Sequence, residues 1–138
     1  MKILAIETSC DDTCIAILEI RNSKFEIRSN VVSPQMKLHA KYGGVYPFLA
    51  KREHQKNLPV VLKKALKKAK NPKIDMIAVT VGPGLEPCLW TGINFAKDLA
   101  KKLRAPIIPV NHIEAHIFAN FIGSNFQNIF PAICLIVS

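Results

Sequence analysis

An α/β fold is what this sequence predicts, and three observations predict it. Apolar runs of strand length open the chain (Ile3-Leu4-Ala5-Ile6) and recur at residues 74–81 and 107–110. Amphipathic helical stripes separate the later runs. Residues 2–32 show no helical period and break instead at polar turns, so the chain starts as a strand meander and continues as alternating helix and strand.

The elements follow in order. Residues 2–7 read as a buried strand and residues 8–12 as a polar turn. Residues 13–20 form a second strand, rich in β-branched side chains. Asn22-Ser23 turns into a third, residues 25–32, which Ser33-Pro34 ends. Residues 35–47 are expected to be irregular, with Gly43, Gly44 and Pro47 as breakers. From 49 to 70 the pattern is helical: Leu58, Val61, Leu62, Ala65, Leu66 and Ala69 make the inner stripe, and Lys63, Lys64, Lys67, Lys68 and Lys70 the outside. Residues 74–81 predict a strand buried on both faces. Gly82-Pro83-Gly84 turns into a helix over 85–104, with Leu85, Leu89, Ile93, Ala96, Ala100 and Leu103 inward. A strand at 107–110 delivers the chain to a last helix that begins near His112. Residues 123–128 are a linker, and 130–138 begin a new apolar strand. Three meander strands followed by alternating helices and strands is the order of a ribonuclease-H-like layer.

The closing segment Ala132-Ile133-Cys134-Leu135-Ile136-Val137-Ser138 echoes Ile3-Leu4-Ala5-Ile6-Glu7-Thr8-Ser9, as the first strand of a duplicated fold would. The expected organisation is therefore a first lobe over 1–125, with a linker and the first strand of a second lobe over 126–138.

Composition narrows the function. The chain has 138 residues, 49% of them hydrophobic, enough for one packed domain. Lys+Arg 19 against Asp+Glu 10 gives a net charge of +9. Thirteen basic residues face four acidic ones between Lys51 and Arg104. That excess fits a polyanionic partner such as RNA, an acidic protein, or a plain lysine-rich solvated surface. Cys10, Cys14, Cys88 and Cys134 form no Cys-x-x-Cys motif and read as reduced, which points to the cytosol. The first apolar run is too short for a signal peptide and no run approaches a membrane span. The expectation is a cytoplasmic protein that does not contact a membrane.

The richest stretch is Asn111-His112-Ile113-Glu114-Ala115-His116. On a helix, His112 and His116 stack on one face. A strand that delivers such a pair to the mouth of a helix is a common way to build a divalent-metal site; with four histidines in the chain, coincidence is the competing reading. Glu114 turns to the far side, and a third ligand must come from elsewhere. Asp11 and Asp12 sit in the first hairpin turn, either as carboxylates for a cation or water near phosphates, or as turn formers that bond their own backbone. Gly82-Pro83-Gly84 lacks the Lys-Ser/Thr of a phosphate loop and reads first as a strand-to-helix turn. His39 and His54 read as surface or supporting polar residues, and Trp90 as core or lobe interface.

Glu7-Thr8-Ser9-Cys10-Asp11-Asp12-Thr13, Gly82-Pro83-Gly84-Leu85 and His112-x-Glu114-x-His116, with Lys37-Leu38-His39-Ala40-Lys41-Tyr42-Gly43-Gly44-Val45-Tyr46-Pro47 and Arg52-Glu53-His54, stand in the order and spacing of one family. Over its whole length the chain resembles the TsaD family, the bacterial-type catalytic subunit of tRNA threonylcarbamoyladenosine synthesis. The resemblance implies the first lobe of a two-lobed actin-like ATPase fold. It implies an acyltransferase that moves the threonylcarbamoyl group from threonylcarbamoyl-AMP to N6 of the adenosine following the tRNA anticodon. It further implies that His112 and His116 hold one iron or zinc ion per subunit, completed by a carboxylate of the second lobe. Ile136, Val137 and Ser138 would lead into a substrate-touching Gly-Gly turn, and Asp11 and Asp12 would be catalytic. ATP with Mg in the full-length protein, a paralogous actin-like dimer partner and an ATPase helper are further expectations. Two positions depart from the family pattern: Asp12 stands where Glu is usual, one methylene shorter, and Ala115 stands where Gly is usual, a change that favours helix. The chain reads as the first lobe of a longer enzyme, inactive alone. The competing class is a non-catalytic actin-like scaffold or dimer partner, against which the histidine pair argues; sugar-kinase phosphotransfer lacks a sugar-binding loop.

Overall fold

Alternation of apolar and polar residues decides how the sheet packs. The computed structural model describes residues 1–22, 24–122 and 131–136. β1 (Lys2–Glu7), β2 (Asp12–Arg21), β3 (Lys24–Pro34), β4 (Met76–Gly82) and β5 (Ile107–Asn111) form one sheet in the order β3-β2-β1-β4-β5. β1, β2 and β3 are an antiparallel meander, while β4 and β5 run parallel to β1. This is the ribonuclease-H-like order.

The pairs Leu4–Ile17, Ile6–Ile15, Leu4–Ile77 and Ile6–Val79 lie side by side across the central strands. All six residues are buried. Because strand side chains alternate, the register puts them on a single face. Helix α2 (Pro47–Lys68) covers that face with Leu58, Val61 and Ala65, and α3 (Glu86–Leu103) with Ala96 and Ala100. Each large aliphatic side chain buried this way stabilises the fold by about 1.5–3 kcal/mol. The lysines of α2 point to solvent, as the stripe predicts.

Several expectations change. The second sheet face is not sealed: Ile3, Ala5, Ala16 and Ala78 are half-buried, and Ile27, Val32 and Ile108 are exposed. β4 is therefore packed on one face only, since α2 and α3 share one side of the sheet. The inner face of α3 is Cys88, Leu89, Thr91, Gly92, Ala96 and Ala100; Leu103 is exposed and Leu85 is the residue before the first turn. Gly92 admits this closeness, because a Cβ there would sit 2.3 Å from the Thr8 hydroxyl. Residues 35–47 are not wholly irregular. Met36–His39 form the short helix α1 and Ala40–Tyr42 a 3-10 turn, because nothing breaks the backbone until Gly43 takes φ 72°. Pro131 to Ile136 pair with no strand of the described sheet. Phe130, Val137, Ser138 and the linker with the lobe boundary at 125/126 fall outside the described residues.

Candidate functional site

Parallel strands that end at one edge leave a crevice beyond their C-termini, and the site is built there. β1 ends at Glu7, β4 at Gly82 and β5 at Asn111. The turn after β1 is stitched to the turn after β4: the Leu85 amide donates to the Ser9 carbonyl at 2.8 Å, and the Thr8 hydroxyl donates to the Cys88 carbonyl at 2.9 Å. A Cβ on Gly84 would meet that Ser9 carbonyl at 2.7 Å, so only glycine lets the two turns close. The Gly82–Pro83 bond between them is cis.

After β5 the chain enters α4 (His112–Ala119). Asn111 starts it by accepting from the amides of Ile113 at 2.8 Å and Glu114 at 3.1 Å, the bonds of an N-cap. His112 is thus the first helical residue, and His116 lies one turn on. Their Nε2 atoms face each other at 3.0 Å with the rings perpendicular. The other nitrogen of His112 is held from below. Its Nδ1 lies 3.3 Å from the Ser9 hydroxyl and 3.6 Å from Glu7 Oε1, and that same oxygen accepts from the Ser9 amide at 2.8 Å. A proton on Nδ1 shared with these oxygens leaves the Nε2 lone pair free for an ion, the usual support of a metal-bound imidazole. Two imidazole nitrogens each about 2.1 Å from one ion lie about 3.0 Å apart at a coordination angle near 90°, and about 3.4 Å apart at the tetrahedral angle usual for zinc, a shift of a few tenths of an ångström from the pair as it stands. The pair therefore fits a divalent ion. Among the described residues no third His, Cys, Asp or Glu converges on it.

The pair opens onto a cleft of about 730 Å³ lined by Ser9, Cys10, Gly84, His112, His116 and Ile136, among others. Of the sequence candidates, His112, His116 and Ile136 meet there. Val137 and Ser138 lie outside the described residues. Asp11 and Asp12 are not among the lining residues, although they continue the turn that carries Ser9 and Cys10. Burial, reinforced by the neighbouring charges of Asp11 and Glu7, holds the Asp12 carboxyl above the usual range, with His54 opposing. The thiols of Cys10 and Cys88 are pushed up to about 11 and that of Cys14 to about 12, in each case first by burial. All three are thereby biased toward the protonated thiol.

His39 and His54 are buried, so of the two readings, surface or supporting polar residues, the supporting one fits. His54 donates from Nε2 to the Cys10 carbonyl at 3.0 Å, and its Nδ1 meets the Thr13 hydroxyl at 2.8 Å and Gln35 Nε2 at 3.3 Å. Gln35 Oε1 accepts from His39 Nε2 at 3.1 Å, and His39 Nδ1 accepts from the Tyr46 amide at 3.4 Å. Burial lowers the His54 pKa, so the ring is neutral. A directional chain of buried bonds thus joins the Gly43–Tyr46 loop to the acidic turn. Trp90 is not core but half exposed, with Lys97 Nζ 5.6 Å from its ring centre, in a groove between α2 and α3. Gln35 was not singled out from the sequence, while Glu7 and Ser9 stood in the Glu7-to-Thr13 motif without a role of their own. Besides that motif, the position of Glu7, a carboxylate ending a buried strand at the edge where parallel strands stop, was a usable signal. No described helix is long and apolar enough to cross a membrane.

Comparison with known proteins adds to this geometry. The family model described as tRNA N6-adenosine threonylcarbamoyltransferase matches residues 26–138. Curated proteins of that name are 55% identical over 140 residues in Persephonella marina and 50% identical over 141 residues in Thermosipho melanesiensis. Each aligns with 100% of this chain, which spans 39% and 42% of their respective lengths. Among solved structures, YeaZ from Pseudomonas aeruginosa aligns with a TM-score of 0.57 at 21% identity, over 80% of this chain and 45% of that one. T. thermophilus RuvC in complex with Holliday junction substrate aligns at 0.55 and 10% identity, over 85% of this chain and 70% of that one. These two likenesses concern the fold alone, and they agree with the ribonuclease-H-like, actin-like lobe expected from the sequence.

Proposed function

The chain belongs to the tRNA N6-adenosine threonylcarbamoyltransferase family, and from that premise we propose that the full-length protein transfers a threonylcarbamoyl group from threonylcarbamoyl-AMP to N6 of the adenosine following the tRNA anticodon. The observation that carries this reading is the His112–His116 pair, with its Nε2 atoms 3.0 Å apart at the cleft and His112 braced by Ser9 and Glu7.

In the reaction the N6 amine attacks the carbamoyl carbonyl carbon. A C–N bond forms, the C–O bond to the phosphate breaks, and AMP departs with its charge. His112 and His116 would hold one iron or zinc ion, with a carboxylate from the remaining part of the protein. Such an ion supplies Lewis acidity toward the carbonyl and the departing phosphate. Glu7 and Ser9 keep the His112 ring oriented. The raised basicity of Asp12 suits a group that accepts the N6 proton, directly or through Asp11 or water. Ile136 lines the cleft, and Ile136, Val137 and Ser138 are proposed as substrate-binding residues. ATP with Mg, a paralogous actin-like dimer partner and an ATPase helper complete the proposed working assembly in the cytoplasm.

The test is transfer itself. Full-length protein with its helper proteins, threonylcarbamoyl-AMP and tRNA should yield threonylcarbamoyladenosine on nucleoside mass spectrometry, whereas the 138-residue chain should yield none. Unmodified tRNA from the complete mixture would refute the reading.

A further inference from the structure

An aromatic and basic shelf stands apart from the histidine cleft. The rings of Tyr42 and Tyr46 stack with centroids 6.0 Å apart and 30° between planes, and Lys41 Nζ lies 5.2 Å from the Tyr42 centre. Both tyrosines are more than half exposed, at 56% and 55%, and Phe48 beside them at 64%. Together with Leu49 and Arg52 they line an open recess of about 580 Å³. Exposed aromatic area gathered in one place is costly in water and marks a binding surface.

Charge says what kind. No Asp or Glu occurs between Glu26 and Glu53, while Arg28, Lys37, Lys41, Lys51 and Arg52 fall in that stretch. Stacked aromatics interleaved with cations, without acids, match the faces of unpaired nucleobases and the phosphates between them. A protein interface also favours Tyr, Phe and Arg but is depleted in lysine, whereas here Lys41 lies over the Tyr42 ring.

Placement agrees. Pro34, at the end of β3, pairs with Asp12, and the Gln35 amide donates to the Asp11 carbonyl at 2.9 Å. The shelf therefore rises from the same sheet edge as His112. It is also held rigid from beneath, since the Tyr46 amide, His39 and Gln35 are linked by hydrogen bonds to the buried His54. A platform fixed in advance loses little entropy when a base docks.

We propose that Tyr42 and Tyr46 stack unpaired bases of the RNA substrate beside the modified adenosine, with Lys41 and Arg52 on the flanking phosphates. The proposal rests on the tRNA reading above and assigns it a surface. The experiment titrates full-length protein against a labelled anticodon stem-loop and against a continuous duplex of the same stem. Tyr42→Ala and Tyr46→Ala should each weaken loop binding roughly 5- to 100-fold, with duplex binding and salt slope unchanged. Tyr42→Phe should bind like the wild type, and Arg52→Gln should flatten the slope of log Kd on log salt by about one. Circular dichroism checks that each variant is folded. Loop affinity within about twofold of wild type in both alanine variants would overturn the shelf and leave the tRNA reading standing. A wild-type protein that binds neither RNA would instead remove the tRNA reading, and the shelf with it.

Discussion

Replacing His54 by Ala removes an imidazole that is fully buried and bonded on both nitrogens. The Thr13 hydroxyl and the Gln35 amide then lose their shared acceptor inside the protein, and the Cys10 carbonyl loses its donor. Each buried polar group left unpaired costs about 1–3 kcal/mol, and the vacated ring volume adds a cavity penalty. With the low end of that range for all three groups and a small cavity term, a loss of about 3–5 kcal/mol is expected, against a total stability of about 5–15 kcal/mol for a domain. With a urea m-value of about 2 kcal/mol/M the unfolding midpoint should fall by roughly 2 M, read by circular dichroism. His54→Gln, which can still donate to Cys10, should recover part of the loss. The pH dependence carries its own sign. Burial holds the native His54 pKa below the ordinary 6.5, so the unfolded chain takes up the proton first. His54 therefore supports stability above about 6.5 and loses that contribution as pH falls toward its native pKa. His54→Ala should lack that part of the acid slope. A loss under about 1 kcal/mol, with an unchanged slope, would refute the buried-relay account.

Gly92→Ala sets two effects against each other. Helix propensity favours Ala by about 1 kcal/mol, but its Cβ would sit 2.3 Å from the Thr8 hydroxyl, and overpacking costs about 1–3 kcal/mol with a hydrogen bond to Cys88 also disturbed. A net loss of about 1–2 kcal/mol is expected, and in a double-mutant cycle Thr8→Ala should recover at least about 0.5 kcal/mol of it; strict additivity would mean that the contact is not what matters. Asp12→Asn should raise Tm at neutral pH, because the partly buried carboxylate beside Asp11 and Glu7 is ionised at a cost. Since the native pKa is raised, the wild type gains stability as pH falls through it, and the advantage of Asn should vanish there. The same variant should lower transfer in the full-length protein, a stability–activity trade-off read by comparing melting curves with product yield.

Local signals made most of the fold legible. The β-branched run over residues 13–20 marked a strand, and the spacing of Leu58, Val61 and Ala65 put those side chains on the face they occupy. The three meander strands followed by two helix–strand units fixed the sheet order, since parallel crossovers leave few alternatives. The histidine pair was legible because four residues is one helical turn. What escaped depends on partners far along the chain. His54 is buried because Cys10, 44 positions away, offers it a carbonyl, and no local pattern records that. Glu7 and Ser9 reach His112 across 105 and 103 positions. The open second face of the sheet escaped for a related reason: residues 74–81 are nearly continuously apolar, yet only one of their faces meets α2 and α3.

The central claim is that His112 and His116 form a metal site, and metal content tests it most directly. Full-length wild type and His112→Ala, purified in parallel, are measured by inductively coupled plasma mass spectrometry, with urea unfolding to check the fold. The account predicts about one iron or zinc per wild-type chain, and near-complete loss in His112→Ala with stability changed by less than about 1 kcal/mol, because the pair lines a cleft rather than the core. Equal metal in both proteins would place the ion elsewhere and reduce the pairing of these two imidazoles to coincidence.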